Sequence, residues 1–415
     1  MPLEVGAGLE ADGRLAHLRA LYTDLHRTPE LGLAEHRTAE RVEAEVTALG
    51  LTPVRIGGTG VVVVLENGDG PTVLARADMD ALAVTEATGL AYASEVEGVM
   101  HACGHDMHTA ALVGALGVLA ERRADWSGTY VALFQPSEED AAGAQAMIDD
   151  GLTDKVPTPD VVLGQHVMPI AAGTVAIAPG PVLSMGDSVR ITLHGRGAHG
   201  SMPHTAVDPV VLAADVVQRL QGVVAREIEP GTFAVVTVGA VRAGTSANII
   251  PDRAELLLNL RNYDPVVREQ VIEAVERIVH GECEAAGTPR EPEFAYYDQF
   301  PLTDNDEAVV ARTAEGLRAD LGAEAVLEAT PMTASEDFAR IGDAFGAPYA
   351  YWFVGCVDAD TYDDAAGRDA VATEIPANHS PMFAPVIDPT LEVAVRAQVA
   401  AARAHLGAGA DDAGA

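Results

Sequence analysis

The sequence contains few basic residues and few cysteines, and both shortages limit what the protein can be. Lysine and arginine together number 26 against 62 aspartates and glutamates, which gives the 415-residue chain a formal net charge of -36. Because so negative a surface repels phosphate backbones, we expect no nucleic-acid partner. Three cysteines are too few for a disulfide framework and indicate a reducing, cytoplasmic environment.

Secretory and membrane-spanning segments are also missing from the sequence pattern. The N-terminal stretch MPLEVGAGLEADGRL has neither the basic start nor the apolar run of a signal peptide. Residues 167–186 are uncharged, but Pro169, Pro179 and Pro181 interrupt any helix that could cross a membrane. We therefore expect buried strands and turns over this stretch.

Length and a hydrophobic content of 48% indicate two domains. In the first part of the chain, helical patterns alternate with apolar β-rich runs, which favours an α/β fold with a mixed sheet. The run GVVVVLENGDGPTVLARAD predicts two strands that form a hairpin or lie next to each other, because NGDG is a turn signal. In α/β sheets, chemistry gathers beyond the carboxyl ends of the strands.

The pattern changes from about residue 184. Up to residue 297 the predicted order is β-α-β-β-α-β, which is that of a ferredoxin-like α+β unit. We therefore expect a second domain at 184–297, inserted into a discontinuous catalytic domain formed by 1–183 and 298–415.

The stretch HACGHDMH, residues 101–108, is the densest group of potential ligands in the chain. Cys103 and His105 would diverge on a helix, but Gly104 favours a loop in which the two side chains converge. Thiolate and imidazole suit a borderline-soft divalent metal. The alternative is a cysteine hydrolase, with Cys103 as the nucleophile and His105 as its base. Asp106 and His108 fall where a helix starts and are expected to cap or support it, with His101 supporting the loop.

A metal needs more than two ligands, and further candidates lie near predicted strand ends or in loops. They are Asp78, Asp80, Glu138, Glu139, His166 and His379. Each alone has an ordinary structural explanation: a charge at a strand end, a solvated glutamate pair, a satisfied histidine or a surface histidine. A glutamate pair that directly ends an apolar strand is the least easily explained in this way.

Eight motifs in order strengthen the case: RADMDAL, HACGHDMH, FQPSEE, GQHV, GRGAHGSMPH, GTSANIIPD, SEDF and NHSPMF. Together they resemble the amidohydrolase branch of the aminoacylase/carboxypeptidase-G-like metallopeptidases. This branch includes hippurate hydrolases, indole-acetyl-amino-acid hydrolases and N-acyl-glutamine aminoacylases. The stretch LHRTPELGLAEHRTA resembles the N-terminal signature of the branch, so the resemblance runs from about Leu15 to Pro389.

The resemblance implies a centre of two divalent metal ions, with zinc or manganese favoured and nickel or cobalt as further options. The implied ligands are Cys103, His105, Glu139, His166 and His379. Glu138 would be the general base, and Asp80 would hold a ligating imidazole from behind. A turn must then reorient the adjacent carboxylates, since neighbours in an extended segment point oppositely. At the position of Asp78, relatives outside the branch carry a ligating histidine. The resemblance implies that Cys103 compensates for that missing ligand. Whether Asp78 contacts a metal is left open.

Other implied roles concern the inserted domain, which would serve as a lid and a dimerisation surface. His199 would reach the active site of a partner subunit and stabilise the oxyanion, while Asn248 and Arg261 would bind the substrate's carboxylate or amide. The role of His204 is open, and Ser335 of SEDF is explained equally well as a helix cap.

The implied activity is hydrolysis of N-acyl-L-amino acids by a homodimer. A dipeptidase or carboxypeptidase is the alternative within hydrolases. A non-catalytic metal-dependent binding protein with the same fold is the alternative in another class.

Overall fold

The computed structural model describes residue 9 and residues 13–409, so most of the N-terminal stretch considered as a signal peptide lies outside the described part. The chain divides into two compact units. The first comprises the described residues of Met1–Val182, Thr303–Pro331 and Asp337–Ala415, and the second comprises Leu183–Leu302 and Met332–Glu336. Among the described residues, no helix combines the length and the apolar character needed to cross a membrane.

Helices account for much of both units. In chain order they are α1 (Arg14–Arg27), α2 (His36–Ala48), α3 (His105–Glu121), α4 (Gly143–Asp149), α5 (Leu152–Lys155), α6 (Pro209–Leu220), α7 (Gly222–Arg226), α8 (Pro265–Ala286), α9 (Glu307–Leu321), α10 (Ala339–Phe345), α11 (Ala359–Gly367), α12 (Val371–Glu374) and α13 (Thr390–His405).

The strands lie between these helices. In chain order they are β1 (Pro53–Ile56), β2 (Gly60–Asn67), β3 (Thr72–Asp78), β4 (Trp126–Gln135), β5 (Val161–Ala171), β6 (Val175–Ile177), β7 (Gly180–Leu183), β8 (Met185–His194), β9 (Ala198–His199), β10 (Ala234–Ala243), β11 (Ile249–Ile250), β12 (Arg253–Asn262), β13 (Glu293–Phe300), β14 (Thr303–Asn305), β15 (Val326–Glu328), β16 (Tyr349–Val357) and β17 (Gly407–Ala408). Strands β5 to β7 confirm the strands and turns predicted for the uncharged stretch 167–186.

A mixed nine-stranded sheet forms the centre of the first unit. Its order is β1-β2-β4-β3-β5-β16-β6-β15, with β17 paired to β4. Neighbours β4, β3, β5 and β16 run parallel, whereas β1, β2 and β17 add antiparallel pairings. The strands bury nearly continuous runs of valine, leucine and alanine, as expected for a sheet covered on both faces.

The prediction that β2 and β3 pair with each other is wrong. Strand β4 lies between them, antiparallel to β2 and parallel to β3. The NGDG turn carries the chain across the start of β4, where a β-carbon on Gly128 would lie 2.3 Å from the carbonyl oxygen of Pro71. The carbonyl of Pro71 also accepts the N–H of Thr129 at 2.9 Å. Turn residues thus mark the reversal correctly, but they do not reveal that a distant strand fills the gap.

Strand register places polar groups at one edge of the sheet. Asp78, the last residue of β3, is opposite Gln135, the last residue of β4. Arg76 is opposite Gly164 of β5, so continuing this register by two residues brings Asp78 level with His166. The carboxyl ends of these parallel strands therefore point toward the same edge, where α/β sheets carry their sites.

Helix α3 begins at this edge and runs through the core of the first unit. Its residues from His105 to Leu119 are all buried, because it packs against α1, α13 and the sheet. A helix that is apolar all round is stable only inside a large core.

The second unit contains a four-stranded antiparallel sheet of order β10-β12-β8-β13. Helices α6 and α8 cover one face through residues such as Val216 and Val275, which join Ile191 and Leu256 in one core cluster. The chain order β8-α6-β10-β12-α8-β13 is that of a ferredoxin-like unit, with α7 as an extra turn of helix after α6.

Candidate metal centre

The loop that carries Cys103 turns into helix α3 at Gly104. Gly104 has a φ of 87°, in the left-handed region that favours glycine. A β-carbon at this position would lie 2.3 Å from Cγ2 of Val167. The turn leaves Cys103 directly before the helix and makes His105 its first residue. The Sγ atom of Cys103 lies 3.4 Å from Nε2 of His166 on β5.

Two buried histidines have their tautomers fixed by the protein. Nδ1–H of His166 donates to the carbonyl oxygen of Val167 at 2.7 Å. Nδ1 of His105 lies 3.1 Å from Oδ1 of Asp80, which accepts its proton. With Nδ1 held in this way, Nε2 is the nitrogen of each ring that is left for a metal, and Nε2 of His105 has no hydrogen-bond partner within the described part of the chain. This is the usual arrangement of a metal-binding imidazole, whose other nitrogen is held by an outer partner.

The adjacent carboxylates lie in a turn that begins directly after β4. The strand ends at Gln135, and Ser137 has a φ of 44°, which is uncommon for a residue other than glycine. A turn follows, in which the N–H of Ala141 donates to the carbonyl oxygen of Glu138 at 2.8 Å, so the turn predicted at the end of this strand is present. The backbone N–H of Glu139 donates to Oδ2 of Asp80 at 3.0 Å. Asp80 thus holds the glutamate turn with one oxygen and an imidazole with the other.

His379 approaches the same place from a loop late in the chain. Its backbone N–H donates to the carbonyl oxygen of Ala102 at 2.8 Å, and the neighbouring Asn378 side chain donates to the carbonyl oxygen of Cys103 at 3.3 Å. Nε2 of His379 lies 3.2 Å from Oε1 of Glu139. Its side chain is 53% exposed, so the first unit is open to solvent on this side.

The donor atoms of these side chains form overlapping groups. Groups whose atoms lie within 4.8 Å of one another include Cys103–His105–His166, Cys103–Glu139–His379 and His105–Glu138–Glu139, and also Asp78–His105–His108. A thiol, imidazoles and carboxylates at such distances suit a borderline divalent cation. Two groups share Cys103, so the residues fit two neighbouring cations better than one.

Electrostatics in this pocket also favour a cation. Burial raises the pKa of the Cys103 thiol well above its usual range, and the charge of Glu139 raises it further. Burial lowers the pKa of His166 well below its usual range, so this ring is neutral. Burial also acts to lower the pKa of His105, but nearby carboxylates, Asp78 foremost, raise it to about 10. A bound cation would relieve this excess of negative charge and stabilise the thiolate.

Asp78 is engaged by the protein on both of its oxygens. Oδ1 accepts from Nδ1 of His108 at 2.5 Å, and Oδ2 accepts from Nη1 of Arg76 at 2.6 Å. Nε2 of His108 in turn accepts the N–H of Val167 at 2.8 Å. Because both nitrogens of His108 are used, these contacts favour supporting roles for Asp78 and His108 rather than direct contact with a metal.

The other polar residues of HACGHDMH are buried behind the ligand groups. Asp106 accepts the N–H of Met107 at 2.9 Å in the first turn of α3, although no side chain caps this helix. Its other oxygen lies 2.7 Å from Nδ1 of His26. His101 is 1% exposed in the loop before the helix, and neither of its ring nitrogens has a hydrogen-bond partner among the described residues, so its support of the loop stays a prediction.

Two of the substrate-binding candidates meet in the second unit. His199 on β9 is paired with Ile249 on β11, and the carbonyl of Asn248 accepts the N–H of Gly200 at 2.8 Å. Nδ1 of His199 lies 2.8 Å from Oγ of Ser201. These two strands line an open depression of about 650 Å³. His204 lies in an exposed turn nearby in the chain.

Arg261 lies at the other end of the same unit. It is paired with Gly186, whereas Arg253 at the start of β12 is paired with His194, shortly before His199 in the chain. Eight residues of strand separate these ends, which is about 26 Å at about 3.3 Å per residue. Arg261 and His199 of one chain therefore do not meet. The Arg261 guanidinium instead donates to Oδ1 of Asn259 at 2.8 Å.

The prediction that Ser335 caps a helix is wrong. Helix α10 begins only at Ala339, and no side chain caps it. Oγ of Ser335 donates to the carbonyl oxygen of Ser184 at 2.7 Å and is contacted by Nη1 of Arg261. The serine is used in a tertiary contact, which a local sequence pattern cannot reveal.

Comparison with known proteins agrees with this site. Residues 74–370 match the family model described as "Peptidase family M20/M25/M40". This span includes every residue of the pocket except His379. The chain belongs to the M20/M25/M40 family.

Two relatives of the chain have names that refer to the hydrolysis of N-acyl amino acids. The chain is 36% identical over 333 residues to N-acetylcysteine deacetylase of Bacillus subtilis, covering 79% of this chain and 84% of the relative. It is 38% identical over 333 residues to hippurate hydrolase of Campylobacter jejuni, covering 79% and 85%. The resemblance drawn from the eight motifs is thus confirmed.

A solved structure shows the same fold in the family. It is a Bacillus subtilis protein described as a dinuclear metal-binding peptidase from the M20 family. The TM-score is 0.74 at 29% identity, and the match covers 94% of this chain and 98% of the other. The predicted mixed-sheet metallohydrolase fold is therefore confirmed.

A buried polar group beneath the site was missed from the sequence. Nε of Arg76 donates to Oε1 of Gln135 at 2.9 Å, and Nη2 of Arg76 donates to Oδ1 of Asp337 at 3.1 Å. Nε2 of Gln135 donates to the same oxygen of Asp337 at 2.6 Å. The sequence could have indicated a buried polar contact at Arg76, because a charged residue inside the apolar strand TVLARAD needs partners when it is buried. Nothing in the sequence connects it to Asp337, 261 positions later.

Proposed function

We propose that this protein is a metal-dependent amidohydrolase that cleaves N-acyl-L-amino acids into a carboxylic acid and a free amino acid. The observation that carries the proposal is the convergence of thiol, imidazole and carboxylate donors around Glu138 in a buried pocket of the first unit. The names of the Bacillus subtilis and Campylobacter jejuni relatives support this substrate class.

We propose five residues as the holders of two divalent cations: Cys103, His105, Glu139, His166 and His379. Zinc or manganese suits this mixture of sulfur, nitrogen and oxygen donors, and nickel or cobalt is compatible with it. When bound, such cations polarise the amide carbonyl and lower the pKa of the attacking water. Asp80 is the positioning residue of the centre, because it fixes the tautomer of His105 and holds the backbone of Glu139.

The proton transfers of the reaction are assigned to Glu138. Its side chain is buried, and its carboxylate lies within 4.8 Å of donor atoms of His105 and Glu139. In this position it takes the proton from the attacking water and later delivers it to the leaving nitrogen. A carboxylate that performs both transfers must lie within hydrogen-bond reach of both atoms, which the tight turn at Ser137 favours.

Substrate recognition is assigned to the second unit, as a lid and dimerisation domain. His199 would stabilise the oxyanion, and Asn248 and Arg261 would bind the substrate's amide or carboxylate. His199 and Arg261 lie at opposite ends of the second unit. This separation supports a site shared by two subunits, in which His199 and Asn248 of one subunit act in the active site of the partner. Shared sites of this kind require a homodimer.

The edge of the second unit's sheet supports such a dimer. Strand β10 is ten residues long and pairs only with β12 among the described residues. It ends in exposed residues, with Val241 51% exposed. Long exposed edge strands are sites of pairing with another chain. A cytoplasmic location is proposed on the three free, buried cysteines, Cys103, Cys283 and Cys356, which suit a reducing compartment.

Peptide hydrolysis is the second candidate, because the Bacillus subtilis structure of the same family is described as a peptidase. A dipeptidase or carboxypeptidase would use the same metal pocket on a peptide bond. A cysteine hydrolase is disfavoured, because the neighbouring carboxylates and several imidazoles around Cys103 suit a metal better than a thiolate–imidazolium pair. A non-catalytic binding protein is disfavoured too, since every implied ligand and Glu138 are present.

A substrate panel tests the proposal. Protein stripped with a chelator is reconstituted separately with Zn²⁺, Mn²⁺, Ni²⁺ and Co²⁺ and assayed with N-acetyl- and N-benzoyl-L-amino acids and with dipeptides. We expect release of free amino acid from the acyl compounds with at least one metal. Preferential cleavage of dipeptides would favour the second candidate. Activity that resists chelators but is lost on thiol alkylation would overturn both.

A further inference from the structure

Glu35 is a buried carboxylate that the proposed reaction does not use. It is 0% exposed, although it lies in a loop directly before helix α2. Oε2 accepts from the hydroxyl of Thr59 at 2.6 Å, and Oε1 accepts the backbone N–H of Ser137 at 2.8 Å. Burial raises the pKa of Glu35, while these hydrogen bonds act to lower it. A carboxylate is costly to bury, so its contacts call for an explanation.

Capping of helix α2 does not explain the burial of Glu35. It occupies the N-cap position, but its side chain accepts none of the N–H groups of its own helix. Glu30 accepts them instead, from the N–H groups of Arg37 at 3.0 Å and Thr38 at 2.8 Å. Glu35 has turned away from the helix to reach the end of strand β4. A residue that departs from its local preference in this way often marks a functional site.

Its partner Ser137 is the residue directly before Glu138. Ser137 has the left-handed φ of 44°, a conformation that persists only where the surroundings hold it. On the other side of Glu138, the N–H of Glu139 is held by Asp80 at 3.0 Å. Glu138 is therefore flanked by two backbone N–H groups, each bound to a different buried carboxylate.

The loop that carries Glu35 also packs tightly on this turn. A β-carbon at Gly32 would lie 2.5 Å from Oγ of Ser137 and 2.9 Å from Oδ2 of Asp140. The carbonyl of Glu30 accepts the N–H of Ala81 at 2.8 Å, next to Asp80. Residues 30–35 thus contact both of the chain segments that carry the carboxylates of the site.

We propose that Glu35 is a positioning residue for catalysis: it fixes the Ser137 backbone and thereby the orientation of the Glu138 carboxylate. The inference rests on the proposed function of Glu138 as general base. Because Asp80 separately holds Glu139, loss of Glu35 disturbs the base more than the metal ligand. The expected consequence is a fall in kcat with little change in KM or in bound metal.

Three variants of the metal-loaded protein test this. Glu35→Ala removes both hydrogen bonds. Glu35→Gln keeps an oxygen for Ser137 and an amide that can donate to the Thr59 hydroxyl. Thr59→Val is the matched control, because it removes the other hydrogen bond of the same carboxylate without touching the turn.

We expect kcat for an N-acyl-L-amino acid to fall at least about tenfold in Glu35→Ala, with KM and metal content within about threefold of wild type. Glu35→Gln and Thr59→Val should stay within about threefold in kcat.

Hydrogen–deuterium exchange provides a readout that does not need activity. The backbone amides of peptides that span residues 137–141 should exchange faster in Glu35→Ala than in Thr59→Val. The comparison is made where the two variants have lost the same amount of thermal stability. A wild-type protein that cleaves no N-acyl amino acid would refute the proposed function, yet the exchange data would still test the contact. If Glu35→Ala does not fold, Glu35→Asp, whose carboxylate is one methylene shorter, should show the same loss of kcat. Unchanged kcat in the folded variant, or equal losses in Glu35→Ala and Thr59→Val, would overturn the inference.

Discussion

Asp80 lies directly behind His105, with Oδ1 of the aspartate 3.1 Å from Nδ1 of the imidazole. Since the other oxygen of Asp80 accepts the N–H of Glu139, one carboxylate orients two of the proposed ligands. We expect Asp80→Ala to lower metal affinity by about 10- to 100-fold, as is typical when the partner of a ligating histidine is lost. Competition with a chromogenic chelator measures the affinity. Asp154→Ala, in a short helix of the first unit, is the control, and equal affinities in both variants would contradict the role of Asp80.

Replacing Glu138 should separate catalysis from metal binding. We expect Glu138→Ala to retain its metal but to lose at least about two orders of magnitude in kcat, because no other group takes the proton from water as efficiently. Glu139→Ala, one residue along, should instead lose metal. Elemental analysis of the dialysed proteins and steady-state kinetics distinguish the two effects. Near-normal turnover in Glu138→Ala would rule out its assignment as the general base.

Arg76 should be important for stability rather than for chemistry. Its guanidinium is 1% exposed and binds Asp78 and Asp337, so its loss removes a buried cation that two buried carboxylates share. We expect Arg76→Met to lower the free energy of unfolding by about 3–5 kcal/mol in urea titrations. The exposed pair Arg19–Asp388 provides the control, since Arg19→Met should cost less than about 1 kcal/mol. A similar loss in both variants would show that the buried network contributes little.

Complementation between variants tests the shared site. His199→Ala and Glu138→Ala should each be nearly inactive alone. If His199 serves the partner subunit, random mixing of the two gives heterodimers with one intact site, and about a quarter of wild-type activity returns. Unfolding and refolding the variants together, compared with assaying them separately, measures this. No recovery in heterodimers confirmed by mass spectrometry would mean that His199 acts within its own chain.

The clustering of the candidate ligands can be predicted from the sequence because these residue types are chemically distinctive. Cys103 and His105 stand on either side of a turn glycine, and Glu138–Glu139 directly follow an apolar strand, so their clustering at one sheet edge follows from general rules for α/β folds. His379 could be included only through the family resemblance, because a loop histidine carries no pattern of its own. The geometry then adds what a pattern cannot: the tautomers of both buried imidazoles.

Long-range contacts account for what the sequence did not predict. The sequence predicts the turn between β2 and β3, but strand β4, which follows only after helix α3, lies between them. Ser335 is a residue type that often caps helices, but its hydroxyl instead donates to the carbonyl oxygen of Ser184. Glu35 likewise occupies a cap position and binds Ser137, 102 positions away. In each case a tertiary contact overrides a local preference, and such contacts cannot be derived from periodicity.

The central claim is that the pocket hydrolyses N-acyl-L-amino acids when it holds two divalent cations. The most direct test titrates metal-free protein with Zn²⁺ or Mn²⁺ and follows the release of free amino acid from N-acetyl-L-amino acids alongside bound metal. We expect activity to be absent without metal and to reach its maximum at about two equivalents per chain. Release of amino acid by the metal-free protein, or no release from any acyl substrate at full metal occupancy, would contradict the claim.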